Sequence, residues 1–263
     1  SVAKRLSKNG FEVLAIEKNK SHLNYAKKSK ITIGSSEKID STKKLYVIVA
    51  LPPKVIINNF DKYLDFFHKA DFITDCTSVK KSLLRKIQKN KLDSKFILSH
   101  PIAGSEKSGF LNSTEDLFKD KISIISKHNG LTIPTLQKCK EFWSELGSKT
   151  YNLDPKSHDK IFSLTSHLPH IVAFSLISLF SKRNTFEYKK FIGGGLKDFT
   201  RIAESDSTMW ENIFSLNKTN LLKDISEIEK EINKFKKFIL QDDGTKLKKH
   251  LEKIKKTKES LNR

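Results

Sequence analysis

The strongest constraint on this chain is a switch in periodicity near residue 154. Through the first 150 residues or so, short apolar runs alternate with amphipathic stretches. Phe11–Glu17, Leu45–Leu51, Phe72–Asp75, Phe96–Ser99, Ile122–Ile125 and Lys149–Asn152 read as strands, with Leu131–Leu146 a helix between the last two. Strands separated by amphipathic helical segments predict a doubly wound parallel sheet covered on both faces. After Asp154-Pro155 the strand signal stops. Ser157–Ser181, Thr208–Leu240 and Thr245–Leu261 all carry helical spacing, predicting an all-α second domain. The expected division is therefore residues 1–153, an α/β domain, and 154–263, a helical domain. In the terminal helices Leu221, Ile225, Ile228, Ile232, Phe235 and Ile239 form an apolar seam, read as a packing surface between helices and, by extension, between subunits.

The opening residues 1–10 read as the helix that follows a dinucleotide-binding glycine turn, and Phe11–Glu17 as the strand after it. In such a Rossmann unit the acid closing that strand hydrogen-bonds the adenosine ribose, so Glu17 favours NAD, while Lys18 beside it leaves NADP open. No first strand and no G-x-G-x-x-G stand before Ser1. The expectation is a nucleotide-binding unit lacking its first strand and turn at the front, the alternative being loss of the pyrophosphate site.

Ligands of open α/β sheets bind beyond the carboxyl ends of the strands. At one such end stands His100-Pro101-Ile102-Ala103-Gly104-Ser105-Glu106-Lys107-Ser108-Gly109, a histidine followed by strand-breaking and small residues. This is how an α/β enzyme displays a base, although a histidine before a proline also simply ends strands.

The formal charge of +20 invites a nucleic-acid partner, but 45 of the 50 cations are lysines dispersed from end to end. Phosphate and base-edge readout favours the arginine fork, and no basic-aromatic interleaving is present, so no nucleic-acid function is expected. Cys76 and Cys139 lie far apart without metal-ligand spacing and read as reduced thiols of a cytoplasmic protein. Ile161–Phe180 is apolar but broken by His167, Pro169 and His170, which predicts a buried helix rather than a membrane span. His158, His167 and His170 lack a carboxylate or cysteine completing a zinc set, so no metal is expected.

Several separated segments, taken in order, resemble the prephenate and arogenate dehydrogenases of tyrosine biosynthesis. They are Asp75-Cys76-Thr77-Ser78-Val79-Lys80, the His100–Gly109 loop, His167-Leu168-Pro169-His170, Gly193–Ala203, Met209-Trp210 and Asn217. The resemblance runs from Ser1 to about Asn220. It implies oxidative decarboxylation of prephenate or arogenate with hydride transfer to NAD or NADP, by a homodimer with a Rossmann domain and a helical dimerisation domain.

It also implies site roles. His100 would be the base or polariser of the ring hydroxyl, and Ser78 would orient it beside the nicotinamide; the plainer reading of Ser78 is a cap on the helix starting near Val79. Arg201 would bind a substrate carboxylate through its bidentate fork. Trp210, His170, Lys197, Ser105 and Glu106 would line the substrate pocket. Trp210 could equally pack in the core, Lys197 could form a surface ion pair, and Glu106 could be structural. Glu17, Lys18, Leu51, Pro52 and Ser78 would face the cofactor. Two other classes stay open: another two-domain NAD(P)-dependent hydroxyacid-type dehydrogenase, and a non-enzymatic basic interaction protein. The residues leave prephenate and arogenate open as substrates.

Overall fold

The computed structural model describes residues 1–32, 39, 42–104, 109–183 and 188–261. Backbone packing divides the chain into two compact units, Ser1–Asn217 and Lys218–Arg263.

The first unit is built on five strands: β1 (Tyr46–Val49), β2 (Phe72–Asp75), β3 (Phe96–Pro101), β4 (Ile122–Ser126) and β5 (Lys149–Leu153), hydrogen-bonded in that order. Its helices, in chain order, are α1 (Val2–Lys8), α2 (Lys20–Lys28), α3 (Pro53–Asn58), α4 (Leu64–Lys69), α5 (Lys81–Lys89), α6 (Ile133–Glu145), α7 (Pro155–Phe162), α8 (Leu168–Ser181), α9 (Gly194–Thr200) and α10 (Ser207–Leu216). Consecutive strand residues face opposite ways. Ile73, Phe96 and Leu98 pack with Ile56, Phe60, Phe67, Leu83 and Ile87 of the α3–α5 layer. Phe72, Ile97 and Ile125 turn to the other face, against Cys139, Phe142 and Trp143 of α6, with Val2 and Leu6 of α1 beside them. Both faces are therefore covered, as a doubly wound sheet requires.

Two expectations need correction. The sheet is not wholly parallel: β1, β2 and β3 are mutually parallel, as are β4 and β5, but β3 and β4 run antiparallel. A parallel pair needs a crossover of a dozen or more residues, usually a helix. Helices supply it between β1 and β2, β2 and β3, and β4 and β5. Between β3 and β4, the described residues hold only a 3₁₀ turn, Phe110–Asn112, and the chain turns back on itself. The second correction concerns Phe11–Glu17, which carries a single bridge residue, Leu14, and no ladder. A strand exists through its neighbour's hydrogen bonds, and here side chains tie the segment down instead: Thr32 Oγ1 donates to Val13 O at 2.8 Å, and Lys43 pairs with Glu12 at 2.7 Å.

From Asp154 onward the fold is helical. Asp154 caps α7, its Oδ1 accepting from Lys156 N and Ser157 N, and Pro155 takes the first position, where no N–H is needed. A π turn, Ser163–His167, joins α7 to α8, so the expected long helix is continuous but locally widened and underwound. The expected Thr208–Leu240 helix is instead two, interrupted at Asn217. The second unit holds α11 (Lys218–Leu240) and α12 (Gly244–Leu261), with His250 of α12 set beside Phe235 and Phe238 of α11 at ring separations of 5.2 and 5.6 Å.

Helices from the α7–α10 region cap those that follow the strands. Asp159 accepts from Lys80 N and Lys81 N at the start of α5, at 2.8 and 2.9 Å. Asn212 Oδ1 accepts from Lys54 N at the start of α3, at 2.9 Å, while Lys54 Nζ pairs with Glu211. Each bond satisfies N–H groups that a helix start leaves open, at the edge of the sheet where β1 and β2 end.

Candidate active site

The parallel strands β1, β2 and β3 bring three connections to one edge: 50–53, 76–80 and the residues from His100 onward. Beneath that edge lies a buried polar network. Asp75 and Lys80, both fully buried, form an ion pair of 2.5 Å. Asp75 also accepts from Ser99 N and Thr77 N, both at 2.9 Å, and from the Thr77 hydroxyl. Lys80 Nζ donates to Ser99 O at 2.6 Å and to Thr77 Oγ1 at 3.0 Å. Buried charges are tolerable when each is paired and its remaining bonding capacity is used. Here the network clamps the backbone of Ser99, immediately before His100, to the turn that carries Ser78.

His100 is partly exposed at the end of β3. Its Nδ1 lies 2.9 Å from Nε2 of His158, whose Nδ1 lies 2.9 Å from Asp159 Oδ1. Phe162 packs against both imidazoles, with centroid separations of 4.8 and 4.5 Å. Desolvation holds His100 well below the ordinary histidine range, and His158, Lys80 and His167 push the same way. His158 is also lowered by burial, against an opposing pull from Asp159. The pair is therefore neutral at physiological pH, as a proton acceptor must be.

A second cluster adjoins through Asn217, whose Nδ2 donates to Asp159 O at 2.7 Å and to Nδ1 of His167 at 3.0 Å. Burial takes His167 down to about 4. His170 stacks on Trp210, ring centroids 3.5 Å apart, and its Nδ1 donates to Ser166 O at 2.9 Å. The indole Nε1–H of Trp210 is buried without a hydrogen-bond partner among the described residues.

The other expected residues fall as follows. Ser78 is half-buried in the β2–α5 turn and does not cap α5: the N-cap position is Lys80, and the capping side chain is Asp159. Leu51 is half-buried and Pro52 exposed at the end of β1. Glu17 and Lys18 are exposed, and Glu17 Oε1 accepts from Asn19 N at 2.8 Å. Lys197 lies on α9 and Arg201 opens the 3₁₀ turn after it, both exposed. Ser105 and Glu106 lie outside the described residues. Sequence reasoning missed His158 as a partner of His100, together with Asp159. Its only local signal was a His-Asp pair on a helix, and the contacts to His100 and Lys80 span 58 and 79 residues.

The family model for the nucleotide-binding domain of prephenate dehydrogenase matches residues 2–152, and that for its dimerization domain matches 154–253. The chain is 29% identical to the cyclohexadienyl dehydrogenase of Zymomonas mobilis over 192 residues, which are 72% of this chain and 66% of that protein. It is 28% identical to the prephenate dehydrogenase of Lactococcus lactis over 260 residues, covering 95% of this chain and 70% of that one. Among solved structures, the prephenate dehydrogenase of A. aeolicus, in complex with hydroxyphenyl propionate and NAD+, superposes with a TM-score of 0.87 at 31% identity, covering 99% of this chain and 93% of that one. The two models meet at the switch from sheet to helix and between them take in every residue of the His100 cluster, so the chain belongs to the prephenate dehydrogenase family.

Proposed function

We propose that this chain carries out the oxidative decarboxylation of prephenate or arogenate with NAD, NADP being the alternative cofactor. The observation that carries the reading is His100: neutral, partly exposed, at the carboxyl end of a central strand and backed by a buried polar chain. The residues fit a dinucleotide. Three parallel strands end at one edge, where Leu51, Pro52 and Ser78 leave side chains within reach of solvent, and Glu17 and Lys18 stand exposed for the ribose side. When bound, the nicotinamide supplies the acceptor for the hydride lost from the ring carbon that bears the hydroxyl.

The chain's own residues do the rest. His100 accepts the hydrogen bond of the ring hydroxyl at Nε2 and holds its proton, and loss of the ring carboxylate as carbon dioxide leaves an aromatic product. Ser78 orients hydroxyl and histidine. Arg201 binds a substrate carboxylate, which its exposure permits, with Lys197 adding positive charge. Trp210 offers its buried indole N–H and His170 its Nε2.

In this reading the functional boundary is 153/154, and two copies associate through the helical part. Ile177 and Leu179 of α8, with Phe191 and Phe199 nearby in sequence, are 40–82% exposed and form apolar surface that a second copy would cover. The run Pro155–Ser181 is long and apolar enough to cross a membrane by length and composition. Contrary to the expected buried helix, most of this run is not buried within one copy. Its start carries His158 and Asp159, engaged at the sheet edge, and its exposed apolar face is the one a second copy would cover, which favours a helix of a cytoplasmic enzyme.

The test is the rate of reduced-nicotinamide formation by the full-length protein with each substrate paired with each cofactor. Turnover with one pair at least tenfold above the others assigns both. Binding of NAD without turnover on either substrate overturns the reading.

A further inference from the structure

His158 has no part in the roles assigned above, yet its position determines what His100 can do. It is fully buried on α7, and both its ring nitrogens are within hydrogen-bond distance of a named partner. A carboxylate oxygen can only accept, so the 2.9 Å contact with Asp159 Oδ1 requires the proton on His158 Nδ1. Asp159 cannot turn away, because Oδ1 also accepts from Lys80 N and Oδ2 from Lys81 N. A neutral imidazole has one N–H, so His158 Nε2 presents a lone pair. The 2.9 Å contact to His100 is then a hydrogen bond only if His100 Nδ1 donates. His100 thereby spends its proton inward, and its Nε2 is a bare acceptor.

We propose that His158, held by Asp159, is a positioning residue that fixes His100 in the Nδ1–H tautomer, so that Nε2 is the atom offered to the substrate hydroxyl. The inference rests on the reading of His100 as the base and adds the device that makes it one. When Nε2 takes the hydroxyl proton, the ring gains a positive charge whose inward N–H already points at His158, and His158 points its own N–H at a carboxylate. Charge developing on His100 therefore meets an aligned chain of dipoles instead of reorganising water.

Protonation of His158 inverts the arrangement. Its Nε2–H would donate to His100 Nδ1, moving the remaining His100 proton to Nε2 and abolishing the acceptor. The groups facing this pair are Lys80 before α5, Asp159 and Phe162 on α7, and His167 on the π turn, with Asp75 behind Lys80. Burial and the Lys80 cation oppose that protonation, while Asp159 and Asp75 favour it, and the net direction, below the ordinary histidine value, leaves His158 neutral at neutral pH.

The experiment joins two readouts. In nitrogen-15 spectra of the histidine side chains of this chain at neutral pH, His100 is expected to show an unprotonated Nε2 and a protonated Nδ1. His158→Phe should shift it toward the Nε2–H form. His158→Gln, whose carbonyl can still accept from Nδ1, should keep the wild-type pattern. In turnover by the full-length protein, His158→Phe should lose roughly 10²–10⁴-fold in kcat with KM for the substrate within about threefold of wild type, and His158→Gln should recover most of that loss. A wild-type His100 protonated at Nε2, or a folded His158→Phe with kcat unchanged, overturns the proposal. His100→Asn with full activity overturns the assignment of the base itself, and the spectra then still decide the tautomer.

Discussion

At the level of single residues, the site divides into what local sequence announces and what only folding assembles. His100, Ser78, Arg201 and Trp210 sit in short motifs whose composition is unusual enough to be noticed: a histidine before Pro and Gly, an arginine in a chain with five. His158 and Asp159 sit in an unremarkable helical context and acquire meaning from contacts to His100 and Lys80, 58 and 79 residues away. Arg201 also yields a prediction. A charged hydrogen bond is worth roughly 1.5–3 kcal/mol, so Arg201→Gln should raise KM for the substrate by about 10–150-fold and change kcat less. Steady-state kinetics read this directly; a fall in kcat at constant KM would contradict it. The buried histidines set an acid limit on stability. His100 and His158 lie below the ordinary value, and His167 lies at about 4 against the usual 6.5. The unfolded chain therefore binds these protons first. Stability is complete above the unfolded value and declines as pH falls from 6.5 toward 4, by about 3 kcal/mol from His167 alone. Urea midpoints measured across that window should drop with pH, and flat midpoints would show that the cluster is solvated.

Among the elements, the central strands and their covering helices were legible because each binds a residue pattern to a face. β2 and β3 open on apolar runs, Phe72-Ile73 and Phe96-Ile97-Leu98, as strands buried on both sides do. The antiparallel turn into β4 was not legible, because strand direction depends on the connection and not on strand composition. Phe11–Glu17 has strand composition without a strand ladder, which is the same lesson from the other side. The caps that the α7–α10 region places on α3 and α5 were equally hidden, since neither helix carries a capping side chain of its own. The buried Asp75–Lys80 pair binds the β2–α5 turn to β3, and removing one partner leaves the other charge uncompensated. Lys80→Met should cost about 3–5 kcal/mol in urea unfolding. Lys81→Met, at an exposed side chain, should stay within about 0.5 kcal/mol. Equal effects at the two positions would remove the network from the account.

For the molecule as a whole, the periodicity switch at residue 154 coincides with the meeting point of the two matched family models, whereas backbone packing separates the chain at Asn217. The difference has a physical source. Asp159, Asn212 and Asn217 bind the first helices after the switch to the sheet edge and to one another, so Pro155–Asn217 packs with the sheet as one body. The polar cluster where those helices meet the strand ends draws residues from both sides of the switch, His100 from one and His158 and Asp159 from the other. In solution, light scattering should report twice the chain mass, as the apolar surface of α8 and the match to a dimerization domain lead one to expect. The central claim is that His100 is the base of an oxidative decarboxylation, and its most direct test follows carbon dioxide and reduced nicotinamide together in wild type and His100→Asn. The account predicts one-to-one release in the wild type and a fall of about 10²–10⁴-fold in both signals in the variant, with substrate affinity retained. Either signal appearing without the other, or a variant as fast as the wild type, would contradict it.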